Sequence, residues 1–132
     1  MPKRSVAIVD DDPAHLFFSQ IALEDRYEVS TIQDSMDAAR QLAILQPDLI
    51  FLDMMMPSKD GLGVGEELIL AAPQLIGRVI VNTADPSNPR AQLLLALGAH
   101  SIVLKHADVD ELLELTSSVL AEFGVEPARS RE

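Results

Sequence analysis

The sequence predicts an α/β domain, a doubly wound parallel sheet of five strands alternating with five helices. Three observations carry that prediction. Short apolar runs recur along the chain, at Ser5–Val9, Tyr27–Ile32, Asp48–Asp53, Leu75–Asn82 and Ser101–Leu104. Longer stretches of helical spacing separate them. Helix-start and turn signals stand at the joins: Asp12-Pro13, Asp34-Ser35, Asp60-Gly61, Asn88-Pro89 and Asp108. Strands that alternate with helices imply βαβ units, and right-handed crossovers place helices on both faces of the sheet.

The chain has 132 residues, enough for one domain. The expected division is a domain over residues 1–123 and a C-terminal tail or linker stub over 124–132. A hydrophobic share of 48% can fill a core. Without cysteine, disulfides and thiolate metal sites are excluded. The net charge of −11 disfavours direct nucleic-acid binding, which needs a basic footprint. The apolar runs are too short to span a membrane, and the N-terminus does not read as a signal peptide. A cytoplasmic protein is expected, with no membrane partner.

Taken in order, Ser5 to Val9 is apolar and β-branched, and Asp10-Asp11-Asp12-Pro13 stops it. Asp12 caps a first helix with Pro13 at its first position, running to about Asp25. Leu16, Phe17, Ile21 and Leu23 are its expected buried side. Tyr27 to Ile32 alternates as a second, more exposed strand. Asp34 or Ser35 then caps a helix through about Gln46, with Met36, Ala39, Leu42, Ala43 and Leu45 on its period.

Asp48 to Asp53 is the third strand, and Pro57 marks the loop beyond it. A third helix covers about Leu62 to Ala72. Gly63 and Gly65 lie in its first turn and predict a loose start, each costing up to ~1 kcal/mol against alanine. Leu75 to Asn82 is the fourth strand. The turn Asp85-Pro86-Ser87-Asn88-Pro89 leads into a fourth helix ending at Gly98. Ser101 to Leu104 is a short fifth strand. Asp108 caps the last helix, with Val109, Leu112, Leu113, Thr116, Val119, Leu120 and Phe123 on one face.

Ligands of open α/β sheets bind at the carboxyl edge of the strands. That edge carries Asp10, Asp11 and Asp53 from neighbouring strands one and three. Two like charges at ~4 Å repel by about 4 kcal/mol at an effective dielectric of 20. A proton, a lysine or a divalent cation must offset this. Oxygen ligands favour Mg²⁺ or Mn²⁺ over zinc. Thr83 and Lys105 end strands four and five at the same edge. Alone, an Asp pair after a strand is often just a helix cap, and a lone Thr or Lys there is usually structural or solvated. Their convergence is what points to chemistry.

The constellation resembles the receiver domain of two-component response regulators, over Val6 to about Leu120. The matching motifs are Val9-Asp10-Asp11-Asp12-Pro13, Asp48-Leu49-Ile50-Phe51-Leu52-Asp53-Met54-Met55-Met56-Pro57 with Asp60-Gly61, Val81-Asn82-Thr83-Ala84, Gly98-Ala99 and Lys105. The resemblance implies a flavodoxin-like (βα)5 receiver architecture with strand order 2-1-3-4-5. It implies Asp53 as phosphoacceptor and a Mg²⁺ site from Asp10, Asp11, Asp53 and the Met55 backbone carbonyl. Thr83 would bond the phosphoryl group, with the Ala84 backbone N–H nearby, and Lys105 would pair with Asp53 or a phosphoryl oxygen. The implied partners are a sensor histidine kinase or histidine phosphotransfer protein and an effector protein or domain. The only catalysis implied is self-phosphorylation and autodephosphorylation of Asp53, so the chain is not expected to be an enzyme.

Two positions depart from the family pattern. Ile102 stands where the family has a switching aromatic, and His106 where it favours proline. They support the rival expectation of a receiver-like interaction module independent of phosphorylation. An aspartyl-nucleophile phosphatase would need a second acid two residues past the nucleophile, where this chain has Met55. His15 and His100 have no partner motif and are expected to be structural or exposed, and the Met54-Met55-Met56 run is expected to pack the loop. The fourth helix, Ala91 to Leu97, is apolar nearly all round. Some of its leucines should be exposed, suggesting a partner or homodimer surface on helix four, strand five and helix five.

Overall fold

The computed structural model describes residues 3–105 and 108–124. Its five strands are β1 (Ser5–Val9), β2 (Glu28–Ile32), β3 (Leu49–Asp53), β4 (Val79–Thr83) and β5 (Ser101–Leu104). Between and after them run α1 (Pro13–Leu23), α2 (Ala38–Leu45), α3 (Gly61–Ala71), α4 (Pro89–Ala96) and α5 (Val109–Glu122). All strand pairs are parallel, in the order β2-β1-β3-β4-β5. The doubly wound prediction and its strand order are what the structure has. No helix of the described residues is long and apolar enough to cross a membrane.

Alternation along each strand sorts side chains between two cores. Ala7, Val9, Ile50, Leu52, Val79 and Val81 face α2, α3 and α4, packing on Leu42, Leu68 and Leu94. Val6, Ile8, Leu49, Phe51 and Ile80 face α1 and α5, packing on Leu16, Leu23, Leu112 and Leu120. With both faces covered, β3 and β4 are buried at every position, which is why they read as continuous apolar runs.

The caps hold the helices at the predicted residues. Asp12 accepts from the Ala14 N–H ahead of Pro13, Asp60 from Gly63 and Asn88 from Arg90. Asp108 and Glu111 form a reciprocal capping box.

Several boundaries and faces differ from expectation. α1 ends at Leu23 and buries Leu16, Ser19 and Leu23, spaced i, i+3, i+7. Phe17 and Ile21 lie about one residue's turn off that stripe and are 67% and 54% exposed. Asp34 caps a 3-10 turn, Ser35–Asp37, before α2 begins, so Met36 is exposed, as is Leu45 at the other end. The fourth strand begins at Val79, because Pro73 opens a 3-10 turn, Pro73–Arg78, that buries Leu75 outside the sheet. Val109 is exposed at the open end of α5.

The start of α3 is a regular helix from Gly61 onward, with no loosening at Gly63 or Gly65. Its glycines serve close packing. A Cβ on Gly65 would collide with Leu94 of α4, and one on Gly63 would lie 2.6 Å from Lys59 Cγ.

Candidate functional site

Strand parity builds the site. Asp10 continues β1 in phase with Val6 and Ile8, and its N–H still donates to the Ile32 carbonyl of the neighbouring strand at 3.1 Å. Asp53 ends β3 in phase with Leu49 and Phe51. Lys105 follows β5 in phase with Val103, its N–H on the Thr83 carbonyl at 2.9 Å. All three side chains therefore fall on the α1/α5 side of the carboxyl edge. Asp10 and Asp53 are 1% and 2% exposed.

Lys105 Nζ stands 3.1 Å from Asp10 Oδ2 and 3.2 Å from Asp53 Oδ2. Asp11 is half-buried beside them, and ligand oxygens of Asp10, Asp11 and Asp53 lie within 4.8 Å of one another. The close approaches to Asp10 Oδ2 and Asp53 Oδ2 are charge contacts without hydrogen-bond angles, so both buried oxygens lack a directed donor. Hard, under-satisfied carboxylate oxygens suit a Mg²⁺-type cation.

The two buried carboxylates are pushed apart in pKa. Burial, then the charge of Asp10, raises Asp53 to about 6, against the opposing pull of Lys105 and the Met55 N–H. Burial also pushes Asp10 upward, but His15, the Asp12 N–H and Lys105 outweigh it and hold Asp10 at about 2. Asp10 thus stays ionised while Asp53 is the member of the pair that takes a proton. Lys105 loses some basicity to burial, yet its two carboxylates leave it above the usual ammonium range.

The other expected residues sit around this centre. The Met55 N–H donates to Asp53 Oδ1 at 3.3 Å, while its side chain points out, 3.9 Å from Asn88 Nδ2. Of the methionine run, only Met54 and Met56 pack as expected; Met55 is exposed. Thr83 is buried on the opposite parity, toward α4. Its hydroxyl accepts from the Asp85 N–H at 3.1 Å and is not turned to Asp53. Ala84 follows it, exposed at the rim.

His15, which has no partner motif in the sequence, has its Nδ1 2.7 Å from Asp10 Oδ2. Five residues past Asp10, it comes back over the strand end on the first turn of α1, a placement that the Asp12-Pro13 cap fixes. Asn82, part of the Val81-Asn82-Thr83-Ala84 motif, is in register with Asp53 across β3 and β4. His100 also has partners, Ser101 and Glu122, at the far end of the sheet.

A family profile described as the response regulator receiver domain matches residues 6–117. The chain belongs to that family. The receiver is 33% identical over 124 residues to protein-glutamate methylesterase/protein-glutamine glutaminase 5 of Myxococcus xanthus, which is 89% of this chain and 35% of that protein. The chain spans 35% to 59% of the length of the curated relatives it matches first. Among solved structures, a CheY-like receiver domain from Methanospirillum hungatei is 25% identical with a TM-score of 0.82, covering 95% of this chain and 99% of that one. The receiver domain of sensor histidine kinase PA1611 from Pseudomonas aeruginosa, whose active-site cleft coordinates magnesium, shares the fold at a TM-score of 0.78 and 20% identity, over 90% and 98% of the two chains.

Within this receiver, Ile102 is half-buried against the α2–α4 core, on the same sheet face as Thr83. His106 lies outside the described residues, as does the tail from residue 125. Leu93, Leu95 and Leu97 of the fourth-helix segment are exposed while Leu94 is buried, the division expected of a helix apolar all round.

Proposed function

We propose that this receiver takes a phosphoryl group on Asp53 from a histidine kinase or histidine phosphotransfer protein and switches a protein-interaction surface in response. The observation that carries the reading is the unequal charge at the sheet edge, where Asp10 and Asp53 share one lysine at 3.1 and 3.2 Å with Asp11 beside them. Asp10, Asp11, Asp53 and the Met55 carbonyl would hold Mg²⁺ or Mn²⁺, which when bound supplies the positive charge that this set lacks and neutralises a phosphoryl group.

An Asp53 carboxylate oxygen attacks phosphorus, the donor's P–N bond breaks, and the imidazole leaves with a proton. An acyl phosphate forms on Asp53. Lys105, already beside Asp53 Oδ2, faces the incoming oxygens and stabilises their charge in the transition state. In a separate step, in-line water attack on phosphorus breaks the bond to the Asp53 oxygen, returns the carboxylate and releases phosphate. Turnover is limited to this self-phosphorylation and autodephosphorylation. For the Thr83 hydroxyl and the Ala84 N–H to reach the phosphoryl group, the Thr83–Asp85 turn must give up its hydrogen bond. The phosphoryl group therefore favours a second arrangement of the β4–α4 loop. The exposed leucines of α4 and the adjoining Leu97 offer the surface this would alter, with an effector protein or domain, or a second copy, as partner. A cytoplasmic setting suits such a donor.

One observation favours a second reading, a module that binds partners without phosphorylation. Ile102 cannot act as an aromatic rotor behind Thr83. The test is incubation with Mg²⁺ and a small phosphodonor, followed by intact mass. A ~80 Da adduct that Asp53→Asn abolishes is expected for an acyl phosphate. Absence of any adduct from small donors and kinases alike would transfer the assignment to the second reading.

A further inference from the structure

Beside the carboxylate cluster, between α1 and α5, the structure contains a cavity of about 280 Å³. None of Asp10, Asp11 or Asp53 lines it. Phe51 of β3, Phe18 of α1, Leu115 of α5 and Lys105 are among the residues that line it. His15 and Glu111 line it as well, and so do two buried polar side chains, Ser19 of α1 and Asn82 of β4. They are 2% and 8% exposed, and neither the Ser19 hydroxyl nor the Asn82 amide bonds to a protein group among the described residues.

That combination is unusual inside a domain. Buried amides and hydroxyls are normally hydrogen-bonded, and the rest of this face packs as ordinary core. An apolar chamber with a few convergent polar groups is the usual form of a small-molecule site. We propose that this cavity is a binding site for a small neutral aromatic molecule bearing one carboxamide or hydroxyl group.

The chemistry narrows the ligand. The volume lies near the lower end of ligand pockets and suits a single ring system rather than a nucleotide. Phe18 and Phe51 supply ring contacts. Asn82 offers both a donor and an acceptor, and Ser19 the same, so a carboxamide or hydroxyl can satisfy both. Charge is disfavoured. Lys105 is already matched by two carboxylates, and an anion would meet their field; a cation would meet the Lys105 ammonium, while the Glu111 carboxylate at the rim is engaged by the Asp108 N–H. The proposal does not depend on phosphorylation of Asp53.

The experiment titrates the ¹⁵N-labelled protein with benzamide, phenol and benzoate, following amide shifts. Benzamide and phenol should give saturable shifts at residues of α1, β4, β5 and α5, with dissociation constants of about 1 mM or tighter. Benzoate should bind at least ~10-fold more weakly. Ser19→Leu, which fills the cavity, should weaken benzamide at least ~10-fold while keeping a dispersed spectrum. On the unmodified protein, intermolecular NOEs from the benzamide ring to Phe18 and Leu115 provide a readout that needs no variant. Unsaturable or scattered shifts, missing NOEs, or undiminished binding to a folded Ser19→Leu protein would each overturn the proposal and leave the cavity to water.

Discussion

Asp48 immediately precedes β3 and Asp53 ends it, the same residue type at the two ends of one buried strand. Asp48 is fully answered. Its Oδ2 accepts from the Ser5 N–H at 2.8 Å and from Ser5 Oγ at 3.2 Å, and its own N–H meets Ser5 Oγ at 3.1 Å. Close by, Arg78 donates to the Pro47 carbonyl at 2.9 Å. Asp53 has one long bond from Met55, a shared lysine, and a second buried carboxylate competing for that lysine. The amino edge of the sheet is locked by paired groups. The carboxyl edge keeps an electrostatic imbalance that an anion-bearing, cation-dependent reaction can use. Substitutions that exchange or remove these conditions test the contrast.

Removing the shared cation should have the largest effect. Lys105→Met leaves Asp10 and Asp53 facing each other at the edge of the core. Orphaning a buried ion costs about 3–5 kcal/mol, and protonation of Asp53 limits the loss to the lower part of that range. Denaturant unfolding at pH 7 should record it, with partial recovery at pH 5. The rate of adduct formation from a small donor should fall by about 10²-fold or more, as for loss of a preorganised charge-stabilising group.

The next effect is a pH dependence carried by Asp53. Its folded pKa, about 6, lies above the ordinary carboxyl value of 3.8. Its contribution to stability is therefore complete below about pH 4 and is lost as pH rises through 6. Asp10, held at about 2, contributes fully above about pH 4 and loses its share only as pH falls toward 2. Between pH 4 and 7 Asp53 is thus the titrating member. With metal chelated, Asp53→Asn should become more stable than the parent by about 3 kcal/mol on going from pH 4 to pH 7, at about 1.4 kcal/mol per pKa unit. Magnesium should narrow the gap at pH 7. A gap independent of pH would show that the imbalance at Asp53 is absent.

A smaller effect separates the loop after Asp53 from the helix behind it. A Cβ on Gly61 would lie 2.8 Å from the Asp53 carbonyl oxygen and 3.1 Å from Met54 Cα, both backbone atoms that cannot turn aside. Gly61→Ala should cost about 2 kcal/mol as overpacking and also slow phosphorylation, because relief must move that loop. Gly65→Ala presses on the Leu94 side chain instead. It should lower thermal stability without changing the phosphorylation rate.

The sequence announces the carboxyl edge better than it announces what surrounds it. Strand-end acids, Thr83 and Lys105 are legible because a parallel sheet brings all its carboxyl ends to one side, whatever the side-chain details. Helix caps are legible because Asp and Asn accept backbone bonds from the next turn. The buried side of α1 is less legible, since Phe17 and Ile21 are as apolar as Leu16 and Leu23. Only the crossover onto β1 decides which stripe faces inward. His15 is hidden for a related reason: its partner is set by the angle at which α1 leaves the Asp12 cap. The hydroxyl of Thr83, bonded to Asp85, depends on a local turn that side-chain identity alone does not choose between.

At the locked edge the expectation is smaller and of a different kind. Asp48→Ala strands the Ser5 N–H and removes an acceptor from Ser5 Oγ, leaving part-buried donors without their partner. The net cost of such a deletion is about 1–2 kcal/mol. Half-exposure keeps it there, because water can reach the site and replace some of the lost bonding. Asp48 makes none of the contacts around Lys105, and a strand's length, about 3.3 Å per residue, separates it from Asp53. Adduct formation on Asp53 should therefore proceed at the parental rate once the protein is folded. An Asp48→Ala protein that unfolds more easily yet phosphorylates normally would place structural and chemical duties at opposite ends of one strand. A matching loss of phosphorylation would mean that β3 transmits its end-to-end position rigidly, and that the lock at Asp48 helps to hold Asp53 against Lys105.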